Sequence, residues 1–148
     1  MREGLIILLD SGSNHNFIDA ALLPKLKLSV DVTQILEIKV ANGDVIKTQG
    51  VCRDVAIQVQ GYTFMVQLHA LPLGCCEVVL GTHWLGTLGV INWDFKLLTM
   101  EFHHCGQQVV LHGIKVVGSN FQEGAQFFKK PSKKGLILHI EDQGSVVV

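Results

Sequence analysis

The sequence predicts a small, mainly β domain with one or two short helices. Three observations carry this. Leu5-Ile6-Ile7-Leu8-Leu9 is a run of five bulky apolar residues that leads straight into Asp10-Ser11-Gly12-Ser13. A short apolar run bounded by turn residues reads as a buried strand. Further on, Leu36, Ile38 and Val40 alternate with Glu37 and Lys39, and Val45 and Ile46 follow Ala41-Asn42-Gly43-Asp44. Alternation on both sides of Asn-Gly reads as a hairpin with a type I′ turn. Then Val55, Ile57 and Val59 alternate, and beyond Gln60-Gly61 so do Tyr62, Phe64, Val66 and Leu68. That is a second hairpin with one buried face.

The remaining elements follow in order. Asp19 is placed to cap a helical turn over Ala20 to Leu23, which breaks or restarts near Pro24 because an interior proline costs about 3 kcal/mol. Leu71 to Glu77 is a loop punctuated by Pro72 and Gly74. Val78-Val79-Leu80-Gly81 returns as a buried strand, and Thr82 to Leu88 forms a short helix with Trp84 and Leu85 turned inward. Asn92 to Phe95 turns the chain, Leu97 to Phe102 is a strand, and Val109 to Leu111 is a last strand. Beyond Gly113 the character shifts to Gly118-Ser119-Asn120 and Lys129-Lys130-Pro131-Ser132-Lys133-Lys134, which read as linker. The expected division is therefore a domain over 1–113 and a linker or tail over 114–148. Leu136 to Ile140 is expected as a strand of a following domain.

The bulk numbers narrow the function classes. Hydrophobic residues make up 48% of the 148 residues and charged residues 17%, so a packed core is feasible. A formal net charge of -1 argues against a dedicated nucleic-acid binder. No apolar run approaches the roughly 20 residues that span a bilayer, and Met1 to Gly4 does not read as a signal peptide, so a cytoplasmic location is expected. The four cysteines are expected as free thiols. Cys75, Cys76 and His103-His104-Cys105 lack the usual ligand spacing of a zinc site, and no metal or cofactor is expected. Gly81 to Thr87 has P-loop glycine spacing, but Thr87 stands where the lysine belongs, so no nucleotide site is read there.

Asp10 is the candidate for chemistry. A carboxylate at the end of a buried strand is costly unless hydrogen-bonded, paired or useful. Gly12 lets the backbone fold back, and the Ser11 hydroxyl is both donor and acceptor. The same three residues also suit an ordinary strand-ending turn. Ser11 or Ser13 as a nucleophile would need a base and an oxyanion hole, and no G-x-S-x-G elbow surrounds either. Asp44, Asp54, Asp94 and Glu77 read as solvated residues in turns or at strand ends.

The flanks add a resemblance. Leu8-Leu9-Asp10-Ser11-Gly12-Ser13-Asn14-His15-Asn16-Phe17-Ile18 resembles the active-site segment of retroviral-type aspartic proteases, most closely the variant of gypsy-class LTR retrotransposons. Val78-Val79-Leu80-Gly81-Thr82-His83-Trp84-Leu85 is similar to the family's second signature. Leu88-Gly89 through Asn92-Trp93-Asp94-Phe95, then Leu98-Thr99-Met100-Glu101-Phe102, resembles the strand pair that follows. The resemblance runs from about Leu5 to about Gly113. It implies a closed, barrel-like retropepsin fold, a two-fold dimer, and an aspartic endopeptidase acting on the element's own polyprotein. It also implies that the Ala41-Asn42-Gly43 hairpin is a flap over an extended peptide. Proteases of this family usually carry a further strand before the apolar run, where this sequence has Met1 to Gly4.

Carboxylate-driven peptide hydrolysis needs one group to take a proton and another to give one. Asp-Ser-Gly occurs once, so the second Asp10 is expected from a second chain. Ser11 would brace the carboxylate and the Gly12 amide would donate to it. The rival expectation is a catalytically inactive remnant of the same fold that serves as a binding or dimerisation module.

Overall fold

The computed structural model describes residues 5–39, 43–74, 76–113, 136–140 and 145–147, the last two through their backbone pairing. In chain order the strands are β1 (Leu5–Leu9), β2 (Phe17–Asp19), β3 (Glu37–Lys39), β4 (Val45–Lys47), β5 (Gly50–Val59), β6 (Tyr62–Leu71), β7 (Val78–Leu80), β8 (Asn92–Asp94), β9 (Thr99–His104), β10 (Gln107–His112), β11 (Leu136–Ile140) and β12 (Ser145–Val147). Two short helices, α1 (Leu23–Leu26) and α2 (Thr82–Leu85), complete the set. The mainly β expectation holds.

Seven strands form one sheet in the order β11-β1-β7-β2-β6-β5-β12. Ile140 and Ser145 lie at opposite ends of that order, yet five residues of extended chain reach only about 18 Å. Six strand spacings in a flat sheet would need about 29 Å. The sheet must therefore curl until its edges approach, which is the barrel-like closure expected of the fold. Leu136–Ile140 is a strand, and it pairs antiparallel with β1 in this same sheet, where a place in a following domain was expected.

β1 is apolar at every position because both of its faces are covered. Leu5, Ile7 and Leu9 enter the main core with Ile18, Ile57, Phe64, Leu68, Val78, Leu80 and Trp84. Ile6 and Leu8 point the other way, into a smaller cluster with Phe17, Leu71, Leu73, Cys76 and Val79. β7 repeats the alternation, with Val78 and Leu80 on one side and Val79 on the other.

The β5–β6 hairpin turns at Gln60 and Gly61, with φ of 50° and 88°, the left-handed pair of a type I′ turn. Gln60 holds the third sheet: its Nε2 donates to the His112 carbonyl and its Oε1 accepts from the His112 amide, both at 2.8 Å. That sheet has the order β10-β9-β8. Phe64, Trp84 and Phe102 seal the junction edge to face or tilted, with ring centroids 5.2 to 6.1 Å apart.

Several local expectations need correction. Phe17–Asp19 is a strand held between β6 and β7, not only the approach to a helix. Asp19 does cap, accepting from the Ala21 amide, and the chain restarts at Leu23 with Pro24 in the first turn, where proline is tolerated. Helix α2 stops at Leu85, because the Thr87 and Leu88 amides bond three residues back and tighten the turn. Asn92–Asp94 pairs with β9, and the turn comes after it: the Asp94 carboxylate accepts from the Lys96 and Leu97 amides. The last of these strands is longer than expected, Gln107–His112. Met1 to Gly4, Cys75 and the Lys129–Lys134 cluster lie outside the described residues.

Candidate active site

The topology around Asp10 explains its surroundings. β7 lies between β1 and β2, parallel to the first and antiparallel to the second. The connection from β1 to β2, residues 10–16, must therefore cross the end of β7. It is held there from beneath. The Asp10 amide donates to the Leu80 carbonyl at 3.0 Å, the Thr82 amide to Ser13 O at 2.8 Å, and the His83 amide to Asn14 O at 3.2 Å.

Gly81 is the point of closest approach. A Cβ built on it would lie 2.4 Å from Ser13 O and 2.5 Å from His15 O. With φ of -102° its backbone is accessible to any residue, so glycine is required here for space. Asn16, only 1% exposed, ties the same knot from the side. Its Oδ1 accepts from the Gly81 amide at 2.9 Å, and its Nδ2 donates to the Gln67 carbonyl at 3.1 Å.

Asp10 is 2% exposed. Burial pushes its carboxyl above the usual carboxylate range, and the Gly12 amide, donating to Oδ1 at 2.8 Å, opposes part of that rise. The Ser13 amide closes the turn onto Asp10 O at 3.1 Å, and Ser13 Oγ donates to His15 O at 2.9 Å. Ser11 sits half-buried in the turn. The Gly12 amide thus donates to the carboxylate as its place in the turn suggests.

Beside this loop lies the smaller apolar cluster. Ile38 and Ile46 are cross-strand partners in the β3–β4 hairpin, and both rest on it. The hairpin base is anchored by Thr48, which is 2% exposed: its Oγ1 accepts from the Leu36 amide and its own amide donates to Leu36 O, both at 2.9 Å. Gly43 is exposed with φ of 92°, and Ala41 and Asn42 of the expected flap tip fall outside the described residues.

Sequence reasoning missed Asn16, whose role depends on partners 51 and 65 residues away. It also misread Glu77, whose Oε2 accepts from the Ile6 amide at 2.7 Å and so helps fix β1 to the start of β7. His103, His104 and Cys105 lie at the β9–β10 hairpin, and among the described residues no group of three or more His, Cys, Asp or Glu side chains is placed to hold a metal ion.

A curled β domain with a buried carboxylate on a crossover loop, beside an apolar wall and a hairpin, has the architecture of one lobe of an aspartic protease. The chain matches the retroviral aspartyl protease family over residues 3–100, about two thirds of its length, and belongs to that family. No curated protein matches it.

Proposed function

We propose that the chain is an aspartic endopeptidase, active as a symmetric homodimer in which each copy supplies one Asp10. The observation that carries this is the state of Asp10. It is buried, raised above the usual carboxylate range, held by the Gly12 amide, and mounted on a loop clamped to α2. Asp-Ser-Gly occurs once, so the second carboxylate comes from the second copy. Two carboxylates brought together cannot both ionise and share one proton. One then takes a proton from the attacking water while the other gives one to the substrate carbonyl oxygen. The titration belongs to the pair. Ser11 braces the carboxylate from outside. The reaction so written uses neither metal nor cofactor.

The substrate is an extended polypeptide with apolar side chains at the scissile bond, which suits an apolar cleft on the two-fold axis. The Ala41-Asn42-Gly43 tip closes over it and offers backbone hydrogen bonds, as in strand addition. The resemblance to gypsy-class elements supports a retrotransposon polyprotein as that substrate, cleaved in the cytoplasm.

The test is cleavage of a mixed peptide library at mildly acidic pH by wild type and Asp10→Asn, with oligomeric state followed in the same samples. Cleavage by the dimer that vanishes in Asp10→Asn is expected. A folded wild-type protein that stays monomeric and cuts nothing would overturn the reading.

A further inference from the structure

We propose that the facing imidazoles of His15 and His69 form a specificity subsite that takes a carboxylate side chain, Asp or Glu, of the bound peptide. The inference rests on the peptide-binding reading above and deepens it.

The strand register places the subsite. Leu8 is opposite Val79, Val79 is opposite Phe17, and Phe17 is opposite His69. Paired residues share a face, so these four form one row across β1, β7, β2 and β6. Three members of the row are buried in the smaller apolar cluster, and the fourth, at its edge, is a half-buried imidazole. His15, from the loop that carries Asp10, packs edge-on against it with ring centroids 5.4 Å apart. Phe17 touches both rings, at 6.3 Å each. The buried cluster thus ends in a half-exposed polar corner supplied partly by the loop that carries Asp10.

The chemistry of the corner selects the ligand. His69 Nδ1 is buried and has no hydrogen-bond partner among the described residues. A buried nitrogen in that state is costly and invites a partner. The charged groups acting on His69 come from three places: His15 on the loop, His83 on α2 and Arg53 on β5. All are cations when charged, and Arg53 is matched by Asp31 at 2.7 Å. Burial first, then these neighbours, holds His69 below its usual range. A lysine or arginine side chain would add to the repulsion. A carboxylate at the exposed edges of the two rings would relieve it and bind together with one proton taken up by the imidazole.

The signature is a pH-dependent preference. Peptides differing only in Glu or Gln, scanned through each position of an apolar octapeptide, are compared for binding to Asp10→Asn protein and for cleavage by wild type. At the favoured position Glu exceeds Gln by about tenfold near pH 5. The ratio falls as pH rises through the histidine range, and falls again below about 4 as the peptide carboxyl protonates. His69→Phe, which keeps an aromatic ring in the cluster, brings the ratio to about one. His15→Gln reduces it as well and serves as the test should His69→Phe fail to fold. A Glu/Gln ratio near one at every position and pH, or a ratio that survives the histidine variants, overturns the proposal. Preferential Glu binding with no cleavage would uphold the subsite and sink the endopeptidase reading instead.

Discussion

Gly81→Ala tests whether the clamp between α2 and the 10–16 loop is what holds Asp10 in place. The added Cβ would meet Ser13 O at 2.4 Å and His15 O at 2.5 Å, both inside the 3.0 Å that real Cβ atoms essentially never cross. Both obstacles are backbone, so no side chain can swing aside. The loop must retreat by about 0.5 Å or more, against two hydrogen bonds already at 2.8 and 3.2 Å from Thr82 and His83. Overpacking costs about 1–3 kcal/mol, and each weakened bond adds about 1 kcal/mol. A loss of about 3–5 kcal/mol follows, or about 10–15 °C in Tm for a chain of this size. Displacing a catalytic group by such a distance lowers kcat/KM by up to about 100-fold. The assay is thermal unfolding beside Gly89→Ala, whose Cβ enters open space and pays only for a φ of 74°, about 1 kcal/mol. Equal losses in the two variants, with the Thr82 amide still protected from exchange, would refute the clamp.

Two further outcomes follow from the same loop. Asn16→Ala strands the Gly81 amide and the Gln67 carbonyl in a buried site, and a loss of about 2–4 kcal/mol is expected by urea denaturation. An unchanged midpoint would show that neither bond matters. Asp10 holds its proton to higher pH folded than unfolded, so its contribution is present below the unfolded carboxylate range and is lost as pH rises through the raised value. Asp10→Asn should therefore gain stability over wild type at pH 7 and little or none at pH 3. A gain that does not grow with pH would contradict the burial argument.

Much of this was legible in the sequence, and the limits have physical causes. β1 and both hairpins announce themselves through local pattern: a bounded apolar run, and period-two alternation around Asn-Gly and Gln-Gly. Asp10 and Gly12 stand out only together with their flanks, because Asp, Ser and Gly are also ordinary turn residues. What stayed hidden depends on partners distant in the chain. Phe17–Asp19 is three residues long, too short for a period, and becomes a strand only between β6 and β7. Glu77 looks solvated until the Ile6 amide, 71 residues earlier, is found against it. Asn92–Asp94 carries a turn residue at its end, and that signal outweighed a strand that exists through pairing with β9. The crossing of β7 between β1 and β2 has no local trace at all.

That crossing explains where the polar groups of the interior are spent. Asp10, Ser13, Asn16 and Thr48 are the buried polar or charged residues among those described, and three of them fall within the 10–16 loop. A loop passing over a strand end leaves backbone amides and carbonyls away from water, and each must find a partner. Ser13 takes His15 O, and Asn16 takes the Gly81 amide and Gln67 O. These two residues are thus fully occupied in fixing the path of the chain. Asp10 differs in kind. The Gly12 amide donates to its carboxylate, and burial raises its affinity for a proton. A carboxylate kept in the interior at that cost, on a loop whose path its neighbours fix, is the arrangement the proposed mechanism requires.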